Sequence, residues 1–269
     1  MYMNISKKYD ALIMQSTGNK HLLSGCLYYD ERYFNELKNA MKDENVLGAF
    51  EALEFKVMSN GGRKICAVAS SSRIGFLYGM KNGITGFEKD DVRNGICRPH
   101  YDNYDDKTKT FYEYKCHEFI SDRLEHNCFR NNLVGYKKLL STHFFLEEDD
   151  VDCQDLFKSF DLEPCLFFDF KQFLCHVLGI LSVASLEVPA NLQYVMFVPK
   201  KSILDDPANR DIAEWKEKLE TQIKYIFGEM GEKHVRTCKG ERGLLKDFIK
   251  LKFKYQDISE VKDFVYEKL

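Results

Sequence analysis

Asp102, Glu113 and Lys115 are the residues whose types and spacing could do chemistry. Glu113 and Lys115 stand two apart in the run FYEYK. In an extended strand residues two apart project to one face, so the carboxylate and the ammonium would stand together. Asp102 precedes a charged turn at Asp105–Lys109, and a hairpin folded there would bring a third group to the same place. Two carboxylates hold a hard divalent cation through oxygen. A lysine beside them can orient or deprotonate an attacking water. Together they suit metal-assisted hydrolysis of a phosphodiester.

The element that must position these groups is the stretch Arg98–Phe119, which reads as a β-hairpin. Ile84–Glu88 reads as a strand leading into it. Upstream, residues 31–42 (ERYFNELKNAMK) and a segment capped at Asn45 and running through Val57 show apolar residues at helical spacing. Asn60-Gly61-Gly62 would end the second of these helices. Lys64–Ala69 is apolar enough for a strand, and Ser70–Ser72 offers caps for a short helix through Met80. Downstream, Asn132–Leu140 reads as helical, HFFLE at 143–147 as strand-like, and the acidic run Glu147–Asp155 as a solvated loop or helix start.

Phe170–Ser185 carries the strongest helical pattern in the chain, and Leu192–Val198 is an apolar run of the kind that forms a buried central strand. Pro207–Phe227 is amphipathic with a helical period, and the tail from 241 is expected to add one or two more helices. No stretch rich in Pro, Gly or Ser forces a boundary. Residues 1–269 therefore read as one domain, with a core at about 45–200 and helical additions at either end. The order is that of an α/β fold with a mixed sheet flanked by helices.

Composition narrows the class. The chain has 269 residues, 44% of them hydrophobic, which is enough to build a sizeable core. Its net charge of −3 does not advertise a polyanion-binding protein, yet a near-neutral whole can carry a basic surface locally. Basic residues outnumber acidic ones over Glu229–Tyr255. That segment reads equally as a phosphate-contacting surface, with Lys239, Arg242 and Lys246 as contacts, or as a solvated basic helix. The nine cysteines are scattered without a CxxC pair, which argues against a zinc ribbon and fits reduced thiols in a cytoplasm. The N-terminal MYMNISKKYD has no apolar h-region. The longest apolar stretch, Phe170–Leu186, is interrupted by Lys171, Gln172 and His176 and falls short of a membrane span.

An acid on one strand, Asp102 in Arg98-Pro99-His100-Tyr101-Asp102, followed by Glu113-Tyr114-Lys115 on the next, resembles the signature of the PD-(D/E)xK nuclease superfamily. The element order helix–strand–strand–strand–helix–strand resembles its restriction-endonuclease-like core. The likeness is to a poorly characterised bacterial branch, through Phe87-Glu88 ahead of the Asp strand, Glu118 three residues past the lysine, and the helix Gln172-Phe173-Leu174-Cys175-His176-Val177-Leu178-Gly179. It covers roughly residues 84–198. Here Asp102 follows Tyr101 instead of directly following proline.

The resemblance implies an αβββαβ core and cleavage of DNA supported by Mg²⁺ or Mn²⁺. Asp102, Glu113 and the backbone carbonyl of Tyr114 would hold the metal, and Glu88, Glu51 or Glu54 would complete its shell. Lys115 would position the water and stabilise charge on the phosphate. Gln172 and His176, four apart on one helix face, would reach Glu118, the metal site or a DNA phosphate. Many enzymes of this fold pair two copies to cut two strands. Two other readings stand beside this one: a non-catalytic module of the same fold that binds nucleic acid or protein, and an unrelated α/β enzyme or interaction module whose hairpin acids are simply exposed.

Overall fold

The structure, a computed structural model, describes residues 8–9, 11–13, 15–16, 26–30, 56–60, 63–69, 82–84, 86–89, 92–95, 97, 99–115, 133–144 and 170–260. Its framework is a mixed five-stranded sheet. In chain order the strands are β4 (Gly86–Lys89), β5 (Tyr101–Asp105), β6 (Thr110–Lys115), β7 (Ala190–Val198) and β10 (Ile249–Asp257), and in space they run β10-β7-β6-β5-β4. β4, β5 and β6 are antiparallel neighbours, whereas β7 lies parallel to both β6 and β10. The protein is thus α/β with helices flanking a mixed sheet.

The hairpin between β5 and β6 is set by local chemistry. The Asp105 carboxylate accepts from the Lys107 N–H at 3.0 Å and from Thr108 Oγ1 at 2.6 Å. An Asx turn of this kind reverses the chain without help from the sheet. Lys109 absorbs the reversal in the left-handed region, with φ of 51°. β7 earns its central place through the run ANLQYVMFV, whose last five residues are all buried. A strand covered on both faces needs apolar side chains on both.

Parallel strands require crossovers, and helices supply them. Between β6 and β7 the chain runs through α1 (Leu133–Phe144) and α2 (Phe170–Ile180); between β7 and β10 it runs through α3 (Lys201–Leu204) and α4 (Arg210–Gly231). Register puts Phe111, Glu113 and Lys115 on one face with Leu192, Tyr194 and Met196 of β7 and Leu251, Phe253 and Tyr255 of β10. Both α2 and α4 cover that face. Phe227 of α4 stacks on Phe173 of α2 at 5.2 Å and lies beside Tyr194, and the Tyr255 hydroxyl donates to the Lys216 carbonyl. Leu174, Val177, Leu178 and Leu181 are wholly buried, each contributing about 1.5–3 kcal/mol of transfer free energy.

A separate antiparallel sheet orders β1 (Cys26–Asp30), β3 (Arg63–Ala69) and β2 (Lys56–Asn60) as β1-β3-β2. A short hairpin of β8 (His234–Arg236) and β9 (Arg242–Leu244) precedes α5 (Leu245–Phe248) and β10.

Three expectations are corrected. Val57 lies in a strand and not in a helix, because Lys56–Asn60 pairs antiparallel with β3, with Val57 opposite Cys66 and Asn60 opposite Arg63. His143 and Phe144 end α1 instead of opening a strand. The tail is helical at α5 and again at residues 258–260, as expected of it, but β9 and β10 stand where the rest was expected to be helix. The alternation in IKLKFKYQD is a strand's period, and pairing with β7 carries the sheet beyond the expected core at 45–200. The helices expected at 31–42 and through Met80 lie outside the described residues. Among the described residues no helix is long and apolar enough to cross a membrane.

Candidate functional site

The ladder between β5 and β6 pairs Asp105 with Thr110, Tyr104 with Phe111 and Asn103 with Tyr112, and then stops. One residue further on, the side chain of Asp102 takes over: its Oδ2 accepts from the Tyr114 N–H at 2.8 Å. In an antiparallel strand the N–H and C=O of one residue face the same neighbour. The Tyr114 carbonyl is therefore turned toward β5, where Asp102 stands. Tyr101 also departs from regular pleating. Alternation from Asn103 would set it on the Tyr112 face, yet its ring packs on Phe111 at 4.7 Å and His176 at 4.8 Å. β5 thus leaves the pleat at Asp102, and its carboxylate enters the gap between the strands.

Glu113 is the meeting point on the helix-covered face. Its side chain is 4% exposed, and Lys115 Nζ, itself on a side chain 11% exposed, donates to Oε1 at 2.5 Å. Gln172 Nε2 donates to the same oxygen at 2.8 Å, and His176 Nε2 lies 3.6 Å from Oε2. A carboxylate so buried is held by these donors, since burial without them would cost several kcal/mol.

His176 is oriented from both sides. Nε2 meets the His100 carbonyl at 3.1 Å, and Nδ1 meets the Tyr194 hydroxyl at 2.8 Å. A carbonyl only accepts, so Nε2 carries a proton, and the Tyr194 hydroxyl, which can donate or accept, fixes the ring at Nδ1. The helix is also tied through its backbone, because the Tyr101 hydroxyl donates to the His176 carbonyl at 2.7 Å. Burial raises the Tyr101 pKa well above its ordinary value, and the nearby Glu113 carboxylate adds to it. The phenol stays a donor.

Gly179 explains why α2 can come so close. A Cβ there would sit 2.4 Å from Pro99 Cγ and 2.7 Å from the Tyr101 hydroxyl. One helical turn before it stands His176, and one further turn brings Gln172. The spacing Gln172–His176–Gly179 thus places two polar groups over Glu113 and a backbone contact over Pro99 (i, i+4 and i+3 neighbours share a helix face). Beside this contact the Cys97 thiol donates to the Cys175 carbonyl at 3.2 Å, and its pKa is raised, first by the hydrogen bond with Cys175 and then by burial.

The expected residues fall into three groups. Glu113, Lys115, Gln172 and His176 form one network, and Asp102 is joined to it through the Tyr114 backbone. Glu88 falls between the pairs Phe87↔Asn103 and Lys89↔Tyr101, at the register position of Asp102. Glu51, Glu54 and Glu118 lie outside the described residues. Lys239, Arg242 and Lys246 are exposed on the β8–β9 hairpin and α5, elements that give no side chain to the Glu113 network, and Lys246 pairs with Glu232 at 2.6 Å. Tyr194, Tyr101 and the His100 carbonyl were not foreseen as parts of the site.

Among the described residues, no group of three or more His, Cys, Asp and Glu side chains is gathered to hold a metal ion. The donors that do stand at the opened ladder are the Asp102 carboxylate, the Glu113 carboxylate and the Tyr114 carbonyl. Oxygen donors are the kind that hold Mg²⁺, which is commonly bound by one or two carboxylates with waters and substrate phosphate completing six positions.

No family model, no curated protein and no solved structure matches the chain.

Proposed function

We propose that the chain is a metal-dependent nuclease of the restriction-endonuclease-like fold, hydrolysing DNA phosphodiester bonds in the cytoplasm. The observation that supports this most is the opening of the hairpin ladder at Asp102. It turns a carboxylate and the Tyr114 backbone toward each other on the strand that also presents Glu113 and Lys115. Strands that simply continued pairing would have spent both backbone groups on each other.

Mg²⁺ or Mn²⁺ bound there would supply charge neutralisation at the phosphate and a more acidic water. Asp102, Glu113 and the Tyr114 carbonyl are the residues to hold it. Lys115, an ammonium beside Glu113, orients the attacking water and donates to the phosphate oxygen on which charge builds. Gln172 and His176 fix the Glu113 carboxylate in place, and Tyr194 fixes His176. In the reaction the water oxygen bonds to phosphorus, one ester P–O bond breaks, and the water proton ends on the departing oxygen. Pairing of two copies would serve cleavage of both strands.

Supercoiled plasmid and single-stranded DNA, incubated with Mg²⁺ or Mn²⁺ and with chelator, test the reading. Cutting by the wild type that needs the metal and is lost in Lys115→Ala is expected. Equal cutting by the variant removes Lys115 from the reaction.

The burial of Glu113 under Lys115, Gln172 and His176 supports a second reading, a binding module of the same fold that does not hydrolyse its ligand. DNA binding without metal uptake would favour it.

A further inference from the structure

Two thiols that the proposed reaction does not use meet where α2 lies against the segment before β5. Neither Cys97 nor Cys175 is in a disulfide. Cys97 has no exposure, and Cys175 is half-buried on α2, one residue before His176. The Cys97 thiol donates to the Cys175 carbonyl at 3.2 Å and also hydrogen-bonds the Cys175 side chain.

Backbone packing brings the pair together. Asn94 and Cys97 close a tight turn, in which the Cys97 N–H donates to the Asn94 carbonyl at 2.9 Å. From this turn and the residues after it, three side chains reach carbonyls of α2. Asn94 Nδ2 donates to Leu178 at 2.8 Å, Cys97 to Cys175, and the Tyr101 hydroxyl to His176 at 2.7 Å. One helical turn past Cys175, the missing side chain of Gly179 makes room for Pro99. Cys175 and Gly179 share a helix face, and Cys97 and Pro99 stand two apart on the opposing segment. A disulfide needs Cα atoms about 4.4–6.8 Å apart. Close backbone contact, with the sulfurs already in hydrogen-bond contact, is what brings two cysteines into that range.

The two thiols differ in access, and this sets the order of reaction. Cys175 meets solvent and Cys97 does not, so a peroxide reaches Cys175 first. The Cys175 sulfur attacks a peroxide oxygen: an S–O bond forms, the O–O bond breaks, and water departs, leaving a sulfenic acid. The Cys97 sulfur then attacks the Cys175 sulfur. An S–S bond forms, the S–O bond breaks, and the departing hydroxide takes the Cys97 proton as a second water. The two thiols have given up two electrons and two protons, and hydrogen peroxide has been reduced to two waters. Disulfides of a reducing cytoplasm are of this transient, redox-sensing kind.

An S–S bond of about 2.0 Å is far shorter than a hydrogen bond between thiols, so the sulfurs must close on each other. At Gly179 the helix cannot follow, because Pro99 already fills the space. The contraction falls on the part of α2 that carries Gln172, Cys175 and His176. We propose that Cys97 and Cys175 are a peroxide-sensitive thiol pair, whose oxidation to a disulfide draws Gln172 and His176 off Glu113 and shuts the site. Shutting of the site rests on the nuclease reading above. The bond itself and the movement of His176 do not.

The test treats the whole chain with hydrogen peroxide in chelator, blocks the remaining thiols and maps linkages by mass spectrometry of unreduced peptides. The expected result is a Cys97–Cys175 linkage that forms ahead of any other pairing and is removed by dithiothreitol. Cys97→Ser keeps a donor for the Cys175 carbonyl and is expected to leave Cys175 as a sulfenic acid that dimedone captures. Cys175→Ser is expected to leave Cys97 unmodified. In the wild type the His176 Nε2–H resonance, assigned by its loss in His176→Gln, is expected to shift on oxidation and to return with dithiothreitol. Metal-dependent cleavage is expected to fall by roughly ten- to a hundredfold in the oxidised wild type, to return with the thiol, and to withstand peroxide in Cys175→Ser. Oxidation of other cysteines while Cys97 and Cys175 stay reduced overturns the proposal, as does a linkage that leaves the His176 resonance unmoved. Undiminished cleavage by the linked protein overturns its control of the site. A wild type that forms the linkage and shifts His176 but cuts no DNA in either state supports the thiol pair and counts against the nuclease reading.

Discussion

Asp102 Oδ2 accepts from the Tyr114 N–H at 2.8 Å, where a continued ladder would have offered the Tyr101 carbonyl. A side chain has thus taken a place that secondary structure would ordinarily fill, and the two strands part beside Glu113. The structural and chemical roles of Asp102 can be separated by substitution. Asn keeps an oxygen acceptor for the Tyr114 N–H, whereas Ala leaves that N–H without its partner, at a cost of about 1–3 kcal/mol. Asp102→Asn is expected to unfold in urea within about 1 kcal/mol of wild type and Asp102→Ala to be measurably less stable. Both are expected to lose metal-dependent DNA cleavage. A fully active Asp102→Asn would leave Asp102 as a strand cap and nothing more.

Gly179 meets Pro99 and Tyr101 where no Cβ fits. Gly179→Ala must push α2 off β5 or displace the proline ring, and overpacking of this kind costs about 1–3 kcal/mol. For a chain of this size each kcal/mol lowers Tm by about 2–4 °C. The same displacement draws Gln172 and His176 away from Glu113. Calorimetry is expected to show the drop in Tm, and cleavage by the folded variant, assayed well below its Tm, is expected to fall as well.

His143 supplies a pH dependence away from the site. Its Nδ1 meets the Arg236 carbonyl at 2.6 Å and its Nε2 meets Asn94 Nδ2 at 2.9 Å. Burial is the main cause that lowers its pKa, with the Arg236 charge adding to it and the hydrogen bond to the Arg236 carbonyl opposing. The folded chain therefore takes up this proton at lower pH than the unfolded chain, where histidine titrates near 6.5. As pH falls below about 6.5 the unfolded state binds more protons and stability declines, by at most about 1.4 kcal/mol per pH unit for one group. Above that pH this contribution is constant. Urea melts between pH 7.5 and 5 are expected to show a shallower decline for His143→Gln than for wild type. Parallel declines would place the pH dependence elsewhere.

The hairpin was legible in the sequence because its signals are local. The period of two that joins Glu113 to Lys115 and the Asp105–Lys109 turn act within a few residues of each other. β7 and α2 were legible for a similar reason, since one is a continuous apolar run and the other a long helical period. β10 was not, because lysines alternating with apolar residues serve a solvated helix or an edge strand, and only the pairing with β7 decides between them.

Within the site, sequence could name Gln172 and His176 but not what holds them. The Tyr194 hydroxyl reaches His176 because the β6–β7 register brings Tyr194 beside Glu113, and no pattern within β7 marks that tyrosine from its apolar neighbours. The need for glycine at 179 is equally silent in sequence, since it depends on Pro99, which lies eighty residues away along the chain.

The most direct measurement is electron paramagnetic resonance of Mn²⁺ titrated into the wild type, Asp102→Asn and Glu113→Gln. The account predicts one class of bound Mn²⁺ in the wild type, displaced by excess Mg²⁺ and strongly weakened in both variants. Mn²⁺ uptake that is unchanged by either substitution, or absent from the wild type even with DNA present, would contradict a metal centre formed by Asp102 and Glu113 at the opened strand pair.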